Sequence, residues 1–270
     1  MNKTDLLIFL ERLQKRPNKG LSQNFLIDSN IAAKIVKTAD IQLEDLVLEI
    51  GSGPGILTKH LLDTGAHVFA IEKDASFAKE LFRFQTKDQK LTVFHADCLE
   101  FDFSKLPSSM KVVSNLPYHI TTPIFELLFS RKKQFSALTL MIQKEVAERL
   151  LAKPGTKEFS SLTLFTGYHA KITKTFPVSA SCFYPQPKVA SQVVHLELLP
   201  PRDIESETLF PLIRKAFQHR RKMLRGSLKE FYSPQIIEKA LEKIHLPVDA
   251  RPEALSLEKW IDFFSILRNA

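Results

Sequence analysis

The sequence of 270 residues has few cysteines and no long apolar run near its start. Its two cysteines, Cys98 and Cys182, lie far apart and form no C-x-x-C pair. A disulfide framework and a thiolate zinc site are therefore excluded, and a reducing cytoplasm is the expected location. The apolar run Leu6–Leu10 is too short for a signal peptide core or a membrane span. We expect a soluble protein without a membrane partner.

Metal and covalent chemistry also lack their usual residues. The eight histidines are scattered without the spacing of metal ligands, so no metal site is expected. The sequence shows no arrangement of a nucleophile, its base and an orienting acid. It also contains no internal repeat and no low-complexity tract.

Positive charge, by contrast, is in excess. Lysine and arginine number 38 against 30 aspartate and glutamate residues, which gives a net charge of +8 and a pI near 9.4. Such an excess attracts polyanions such as nucleic acids. Many basic proteins bind no nucleic acid, however, so the positions of the charges must decide.

Alternating strand and helix patterns predict a doubly wound parallel sheet. Residues 1–45 are predicted to be helical, with a first helix from Asp5 to Arg16 that Pro17 ends and a second that Asp28 caps. A polar loop is predicted between these two helices, at Asn18–Asn24, and it ends in Gln23-Asn24-Phe25-Leu26. Short apolar runs then alternate with amphipathic stretches, which indicates strands covered on both faces. The predicted strands are Leu46–Ile50, His67–Ile71, Leu91–His95, Lys111–Ser114 and Ala137–Ile142, and the helices are Ile56–Leu62, Ser76–Phe84 and Ile120–Phe129.

The pattern changes after residue 143. Two helices, at 144–153 and 158–169, and two strands, at 171–176 and 191–199, are predicted there; the strands would close the sheet as an antiparallel pair. Pro200-Pro201 breaks the chain, and the rest has helical periodicity. We therefore predict a boundary between an α/β domain, residues 1–200, and a small helical domain, residues 201–270.

The first predicted strand runs into a glycine-rich turn, Glu49–Gly55. Gly51 and Gly53 allow a tight turn and let the backbone approach a ligand at the start of a helix. Glu72 ends the second strand 21 residues after Gly51, near the offset at which such folds place a carboxylate on ribose hydroxyls. Structural turns also produce this pattern. The G-x-G-x-G spacing and Pro54, which removes a backbone amide, disfavour a pyrophosphate and favour S-adenosylmethionine over NAD.

Asp97 follows the third predicted strand. There it could accept a hydrogen bond from the amine of adenine, although a cap of a turn explains it equally well.

The segment Asn115-Leu116-Pro117-Tyr118 at the end of the fourth strand carries the strongest signal. The amine of adenine is a poor nucleophile because its lone pair is delocalised into the ring. The carboxamide oxygen of Asn115 and a neighbouring backbone carbonyl can accept its two N–H bonds and hold the nitrogen close to tetrahedral. Pro117 fixes the direction of that carbonyl, and Tyr118 offers a face on which a flipped base can stack. A proline-stiffened turn before a helix is the structural alternative.

Two further segments are candidates for contact with RNA. The loop Phe183–Lys188 combines aromatic residues, prolines and a lysine that could stack on a base or bind a phosphate; otherwise it is a rigid connection. Residues 219–225 place several cations at the end of a helix, where they could bind phosphates or only neutralise the helix end. The RNA-binding candidates are Phe183, Lys188, Arg220, Arg221, Lys222 and Arg225.

These motifs together resemble those of the rRNA adenine dimethyltransferase family, in its bacterial small-subunit branch. The matching segments, in order, are Gln23-Asn24-Phe25-Leu26, the turn Glu49–Gly55, Glu72, Asp97, Asn115–Tyr118, Phe183–Ser191, Phe217–Leu224 and Arg251–Leu257. They span nearly the whole chain, and their joint occurrence is highly specific although no single motif is.

The resemblance implies a role for each matching residue. Asn24 and Leu26 lie in the N-terminal segment that folds over the cofactor in this family. Gly51 would lie against the amino-acid end of the cofactor. Glu72 would hold the ribose hydroxyls, and Asp97 the adenine amine.

Asn115 would contact both the methionine end of the cofactor and the target amine. The Gly-Ser-Gly-Pro-Gly turn differs slightly from the Gly-Pro-Gly start common in relatives, but it keeps the glycine positions. The implied fold is a doubly wound, Rossmann-like class I methyltransferase sheet with a cover segment, residues 1–45, and a C-terminal all-α domain that binds rRNA. The implied cofactor is S-adenosylmethionine.

The expected reaction is the transfer of two methyl groups in succession to N6 of adjacent adenosines near the 3′ end of small-subunit (16S) rRNA. The expected partners are the small ribosomal subunit and its rRNA, and the protein is expected to be a monomer. Three alternatives remain open: a dimethylase of large-subunit rRNA, an assembly factor whose methylation is incidental, and a dinucleotide dehydrogenase. Leu116 and the basic segment at 219–225 favour the small-subunit enzyme, and Pro54 and Tyr118 disfavour the dehydrogenase.

Overall fold

The computed structural model describes residues 1–18, 20, 23–87, 90–219 and 221–270. In chain order its helices and strands are α1 (Lys3–Arg12), β1 (Phe25–Leu26), α2 (Ser29–Thr38), β2 (Leu46–Ile50), α3 (Ile56–Leu62), β3 (His67–Glu72), α4 (Ala75–Leu81), β4 (Leu91–His95), β5 (Met110–Asn115), α5 (Thr121–Ser130), β6 (Phe135–Gln143), α6 (Lys144–Leu151), α7 (Ser161–His169), β7 (Ala170–Val178), β8 (Phe183–Tyr184), β9 (Ser191–Leu198), α8 (Ser206–Gln218), α9 (Leu224–Ser227), α10 (Pro234–Lys243) and α11 (Leu257–Arg268).

A seven-stranded sheet in the order β4-β3-β2-β5-β6-β9-β7 forms the centre of the first unit. Strands β2 to β6 pair in parallel, and β9 pairs antiparallel with β6. The chain starts the sheet at β2, builds outward through β3 and β4, and then returns to the other side of β2 with β5. Ligands of doubly wound sheets bind at such a reversal, outside the carboxyl ends of the strands. The fold therefore places a site at the ends of β2 and β5.

The local predictions for the sheet are confirmed. Each of the five apolar runs contains a strand, and Val47 and Leu48 of β2 are fully buried. Asp28 caps α2, because its carboxylate accepts the backbone N–H groups of Asn30 and Ile31.

The start of the chain differs from its prediction. Helix α1 ends at Arg12 and not at Arg16, because Gln14 takes a left-handed conformation with φ of 53°. Pro17 therefore lies beyond the end of the helix. Residues 25–26, at the end of the loop predicted between the two helices, form the short strand β1, which pairs antiparallel with β8.

The chain divides into two compact units, residues 1–147 with 172–198, and residues 148–171 with 199–270. The chain passes into the second unit for the second time after residue 198, close to the predicted boundary at residue 200. Residues 148–171, however, were predicted in the first domain and belong to the second unit. Their apolar side chains Phe159, Leu164 and Tyr168 share a buried cluster with Leu209 and Trp260. Burial in that cluster outweighs the proximity of the segment to the strands in sequence.

Candidate active site

A pocket opens at the carboxyl ends of the central strands of the first unit. Its lining residues are drawn from 23–26, 49–57, 71–77, 96–99 and 115–120. It therefore brings together the glycine turn, Glu72, Asp97 and the Asn115–Tyr118 segment, as the sequence predicts.

The glycine turn is tied to Glu72 by its own backbone. Gly51 and Gly53 have φ values of 72° and 51°, a conformation that glycine adopts without strain. A Cβ atom on Gly53 would lie 3.3 Å from the ring of Phe25, a close contact to which the ring would have to adjust by a few tenths of an ångström. The N–H of Gly53 donates to Oε2 of Glu72 over 2.8 Å. The turn and the carboxylate therefore form one rigid unit.

Glu72 fits the ribose of a nucleoside. The side chain is buried, and its Oε1 accepts the N–H of Asp74 over 2.8 Å. A carboxylate can accept about four hydrogen bonds, so Glu72 can accept further donors beside these backbone groups. Two acceptors on one carboxylate match the two hydroxyls of a ribose diol. Burial raises the pKa of Glu72, and the hydrogen bonds from Asp74 and Gly53 oppose that shift.

Asp97 carries an ion pair that sequence reasoning missed. Its Oδ1 accepts the N–H of Leu99 over 2.9 Å, and Lys73 Nζ donates to its Oδ2 over 2.7 Å. These bonds, that of Lys73 first, hold the pKa of Asp97 below its ordinary value. Asp97 is therefore an ionised acceptor at the pocket. The only sequence signal for this ion pair is that Lys73 directly follows Glu72 at the end of the second strand.

Glu49, inside the turn motif, is a second acid without an assigned role in the sequence analysis. It is 1% exposed, and Thr58 Oγ1 donates to its Oε2 over 2.5 Å. Burial raises its pKa to about 7, and the nearby charge of Glu72 adds to the increase while the hydrogen bond from Thr58 opposes it.

The Asn115–Tyr118 segment leaves the sheet as β5 ends. Nδ2 of Asn115 donates to the backbone carbonyl of Asn24 over 3.4 Å, which turns the carboxamide so that Oδ1 is the acceptor. Leu116 is buried, and its N–H donates to the carbonyl of Met141 in β6 over 3.1 Å. Pro117 opens a short 3-10 turn, Tyr118–Ile120, that leads into α5.

The N-terminal segment reaches the pocket through β1. Phe25 pairs with Tyr184, and Leu26 pairs with Phe183, so β8 holds β1 in place. Both Asn24 and Leu26 line the pocket. A strand of two residues has no periodicity that sequence reasoning could detect.

The structure corrects the predicted contact of Phe183 with RNA. The side chain is 3% exposed and belongs to the same buried cluster as Leu26 and Phe176. Pairing of β8 with β1 turns it into the core, so its ring is closed to a ligand here. Lys188 is exposed, as a phosphate contact requires.

The basic residues of the second unit follow the end of α8. Arg221 and Lys222 are exposed. Arg225 pairs with Glu238 over 2.8 Å, so part of its charge is already neutralised. Arg220 lies outside the described residues.

Neither a metal centre nor a membrane helix is found in the part of the chain that the structure describes. No group of His, Cys, Asp and Glu side chains there could hold a metal ion. None of the helices described is long and apolar enough to cross a bilayer.

A largely parallel sheet with this strand order, and a pocket lined by acids at the carboxyl ends of β2, β3 and β4, define a class I methyltransferase. Comparisons with known proteins agree with this class. Residues 14–269 match the family described as ribosomal RNA adenine dimethylase, and the chain belongs to this family. It is therefore an S-adenosylmethionine-dependent methyltransferase that modifies rRNA. The resemblance seen in the sequence motifs is confirmed.

Curated relatives cover the whole length. The chain is 49% identical over 269 residues to a ribosomal RNA small subunit methyltransferase A of Protochlamydia amoebophila (strain UWE25), with 97% of this chain and 95% of the relative covered. It is 41% identical over 268 residues to a protein of the same description from Chlamydia caviae, with 96% and 95% covered.

Two solved structures share the fold. A dimethyladenosine transferase from Plasmodium falciparum is 27% identical with a TM-score of 0.74, covering 91% of this chain and 98% of that chain. The 23S rRNA methyltransferase ErmE is 26% identical with a TM-score of 0.69, covering 91% and 100%.

Proposed function

We propose that the protein dimethylates N6 of two adjacent adenosines near the 3′ end of small-subunit rRNA during maturation of the subunit. The observation that carries the choice of substrate is the 49% identity, over 97% of the chain, to a protein described as a small-subunit methyltransferase. The protein acts as a monomer on the small ribosomal subunit, in the cytoplasm.

Different residues of the pocket bind different parts of the cofactor. Glu72 accepts the ribose hydroxyls, and Asp97 accepts the adenine amine beside Lys73. Gly51, Gly53 and Asn24 lie along the amino-acid end, with Leu26 as an apolar wall. S-adenosylmethionine, when bound, supplies a methyl group on a positively charged sulfur, which is an activated leaving group.

Asn115 prepares the target amine. Its Oδ1 accepts one N–H of the adenine amine, because Nδ2 is committed to the carbonyl of Asn24. The backbone carbonyl of Leu116 accepts the other N–H, and Pro117 fixes its direction. Two acceptors in this arrangement hold the nitrogen close to tetrahedral and direct its lone pair. Positioning and electrostatics carry the rate, and no side chain removes a proton before attack.

Tyr118 and the surface lysines and arginines hold the RNA. The ring of Tyr118, half-buried at the pocket, stacks on the flipped adenine. Lys188, Arg221 and Lys222 contact phosphates, and Arg225 contributes less because it is paired with Glu238.

Transfer of radiolabelled methyl groups tests the proposal. Purified immature small subunits, and large-subunit rRNA in parallel, are incubated with the protein, and primer extension maps the modified adenosines. We expect label in two adjacent adenosines of the small-subunit RNA. Label confined to large-subunit RNA would assign the protein the activity for which ErmE is named.

Replacing Asn115 by alanine provides a prediction about the amine. We expect the single-turnover rate on saturated complexes to fall by about 10²-fold or more, as for the loss of one preorganised polar group. Some loss of cofactor affinity accompanies it, because Asn115 lines the cofactor pocket. A rate equal to that of the unmodified protein contradicts the role. The same variant separates catalysis from an added assembly role, since the basic surface is untouched and subunit maturation can be followed without methylation.

A further inference from the structure

The hydroxyl of Tyr118 is bonded to a residue far away in sequence. Its Oη lies 2.6 Å from Oγ of Ser191, at the start of β9. Ser191 is fully buried, whereas Tyr118 is half-buried at the pocket. The bond therefore runs from the pocket wall into the interior of the sheet.

Ser191 is itself held rigidly. It pairs with Gln143 at the end of β6, and the N–H of Lys144 donates to the carbonyl of Ala190 over 3.0 Å. The backbone at Ser191 and at the preceding residue, Ala190, is thus hydrogen-bonded to the end of β6 and the residue that follows it.

The other end of the Tyr118 side chain is fixed by its turn. The N–H of Ile120 donates to the carbonyl of Pro117 over 3.2 Å, and Thr121 Oγ1 donates to the carbonyl of Tyr118 over 3.2 Å. A tyrosine side chain has two rotatable torsions. Because both its backbone and its hydroxyl are bound, the ring axis from Cβ to Oη has one direction, and the ring one position, before any substrate arrives.

We propose that Ser191 is a positioning residue for methyl transfer, which holds the ring of Tyr118 at the position where the target adenine stacks. This inference rests on the proposed function, in which Tyr118 stacks on the flipped base. Ser191 does not touch the substrate; it acts only through Tyr118. In the bound complex it keeps the stacked base, and with it the target amine, in the geometry that reacts, so its loss lowers the rate after binding.

A purely structural role is the competing explanation, because a buried hydroxyl needs a partner in any case. The two explanations differ in what a variant loses. A structural bond changes stability, whereas a positioning bond changes the rate of methyl transfer on the saturated complex.

The test is a double-mutant cycle with the variants Ser191→Ala, Tyr118→Phe and the combination of both. Tyr118→Phe keeps the ring and removes only the hydroxyl. We expect each single variant to lower the single-turnover rate by about threefold to tenfold, the effect of one ordinary hydrogen bond. The double variant should lose no more than the larger single loss, because both changes remove the same bond. Cofactor affinity, measured by calorimetry, should stay within about twofold.

A matched control lies on the same pair of strands. Thr139 Oγ1 in β6 lies 2.7 Å from Nδ1 of His195 in β9, and both residues are buried away from the pocket. Thr139→Val breaks this bond without a change of shape. We expect a lower melting temperature and an unchanged rate.

Three results would overturn the inference: a wild-type rate in Ser191→Ala, additive losses in the double variant, or an equal loss of rate in Thr139→Val. If Ser191→Ala fails to fold, the comparison of Tyr118→Phe with Thr139→Val decides. The rate of each variant is compared with that of the unmodified protein on whichever rRNA the unmodified protein methylates. If the unmodified protein does not methylate small subunits, that result rejects the proposed function and leaves the inference about Ser191 testable on the other rRNA.

Discussion

Glu72 and Asp97 are carboxylates at one pocket, yet their surroundings shift their pKa values in opposite directions. Burial dominates at Glu72 and raises its pKa. The hydrogen bond from Lys73 dominates at Asp97 and lowers its pKa. The two acids that we propose bind the ribose and the adenine amine therefore respond differently to pH.

Replacing Glu72 by alanine removes both acceptors from the ribose diol. A hydrogen bond to a charged group is worth about 1.5–3 kcal/mol, so S-adenosylmethionine affinity should fall at least about tenfold in calorimetric titration. Glu44→Ala is the control, because Glu44 is an exposed glutamate whose partner is Lys90, outside the pocket. Unchanged affinity in Glu72→Ala rejects the ribose assignment.

The pH dependence of cofactor binding follows from the opposite shifts. Acceptance of the ribose hydroxyls is strongest when Glu72 is ionised, and its raised pKa means that it takes up a proton earlier than an ordinary glutamate as the pH falls. Affinity should therefore decline on acidification. We expect a weaker decline in Glu72→Gln and an unchanged decline in Asp97→Asn, since Asp97 stays ionised throughout. Calorimetric titrations from pH 8 to pH 5 measure the decline in cofactor affinity. If the decline weakens equally in both variants, the assignment of Glu72 to the ribose is contradicted.

The elements around the pocket differ in how far their sequences predict them. Strands β2 to β6 could be predicted because each contains a short apolar run, and all but the edge strand β4 are largely buried. Strands β1 and β8 could not, because two residues show no periodicity and their pairing joins segments more than 150 residues apart. The end of α1 was missed because Gln14 adopts a left-handed conformation that no residue type required.

The residues of the site also divide into those that a local sequence pattern predicts and those that depend on contacts between distant segments. Glu72, Asp97 and Asn115 could be identified because each stands at a strand end, where the fold itself places ligands. Lys73, the partner of Asp97, and Ser191, the partner of Tyr118, are side chains whose contacts depend on packing. The burial of Phe183 depends on the unpredicted pairing of β8 with β1.

The buried acid Glu49 in strand β2 makes the stability of the protein depend on pH. The pKa of this acid is about 7 in the folded protein against an ordinary value of 4.5, so the folded state binds the proton more tightly than the unfolded state. Its contribution to stability is then present below pH 4.5 and is lost as the pH rises to about 7. We expect the melting temperature of Glu49→Gln, relative to that of the unmodified protein without cofactor, to increase across this window. Thermal unfolding at pH 5, 6, 7 and 8 measures the difference; a constant difference shows that Glu49 ionises normally.

Over the whole molecule, a net charge of +8 attracts any polyanion, so total charge alone cannot assign an RNA surface. Arg221 and Lys222 lie next to the end of α8, where cations also stabilise a helix by about 0.3–1 kcal/mol each. The two roles predict different measurements. Phosphate contacts affect the salt dependence of RNA binding, and helix-end contacts affect the melting temperature.

Replacing Arg221 and Lys222 together by alanine separates these roles. If they bind phosphates, affinity for small subunits should fall, and the slope of log affinity against log salt should decrease by up to about 0.7–0.9 for each phosphate that the variant no longer neutralises. Lys239 and Lys243 are exposed lysines on α10, and their double alanine variant lowers the net charge from +8 to +6 in the same way, since both variants remove two cations. We expect its salt slope to stay nearer that of the unmodified protein. Equal slopes in both variants would mean that total charge governs binding, and a change in melting temperature alone would mean that Arg221 and Lys222 only stabilise the end of α8.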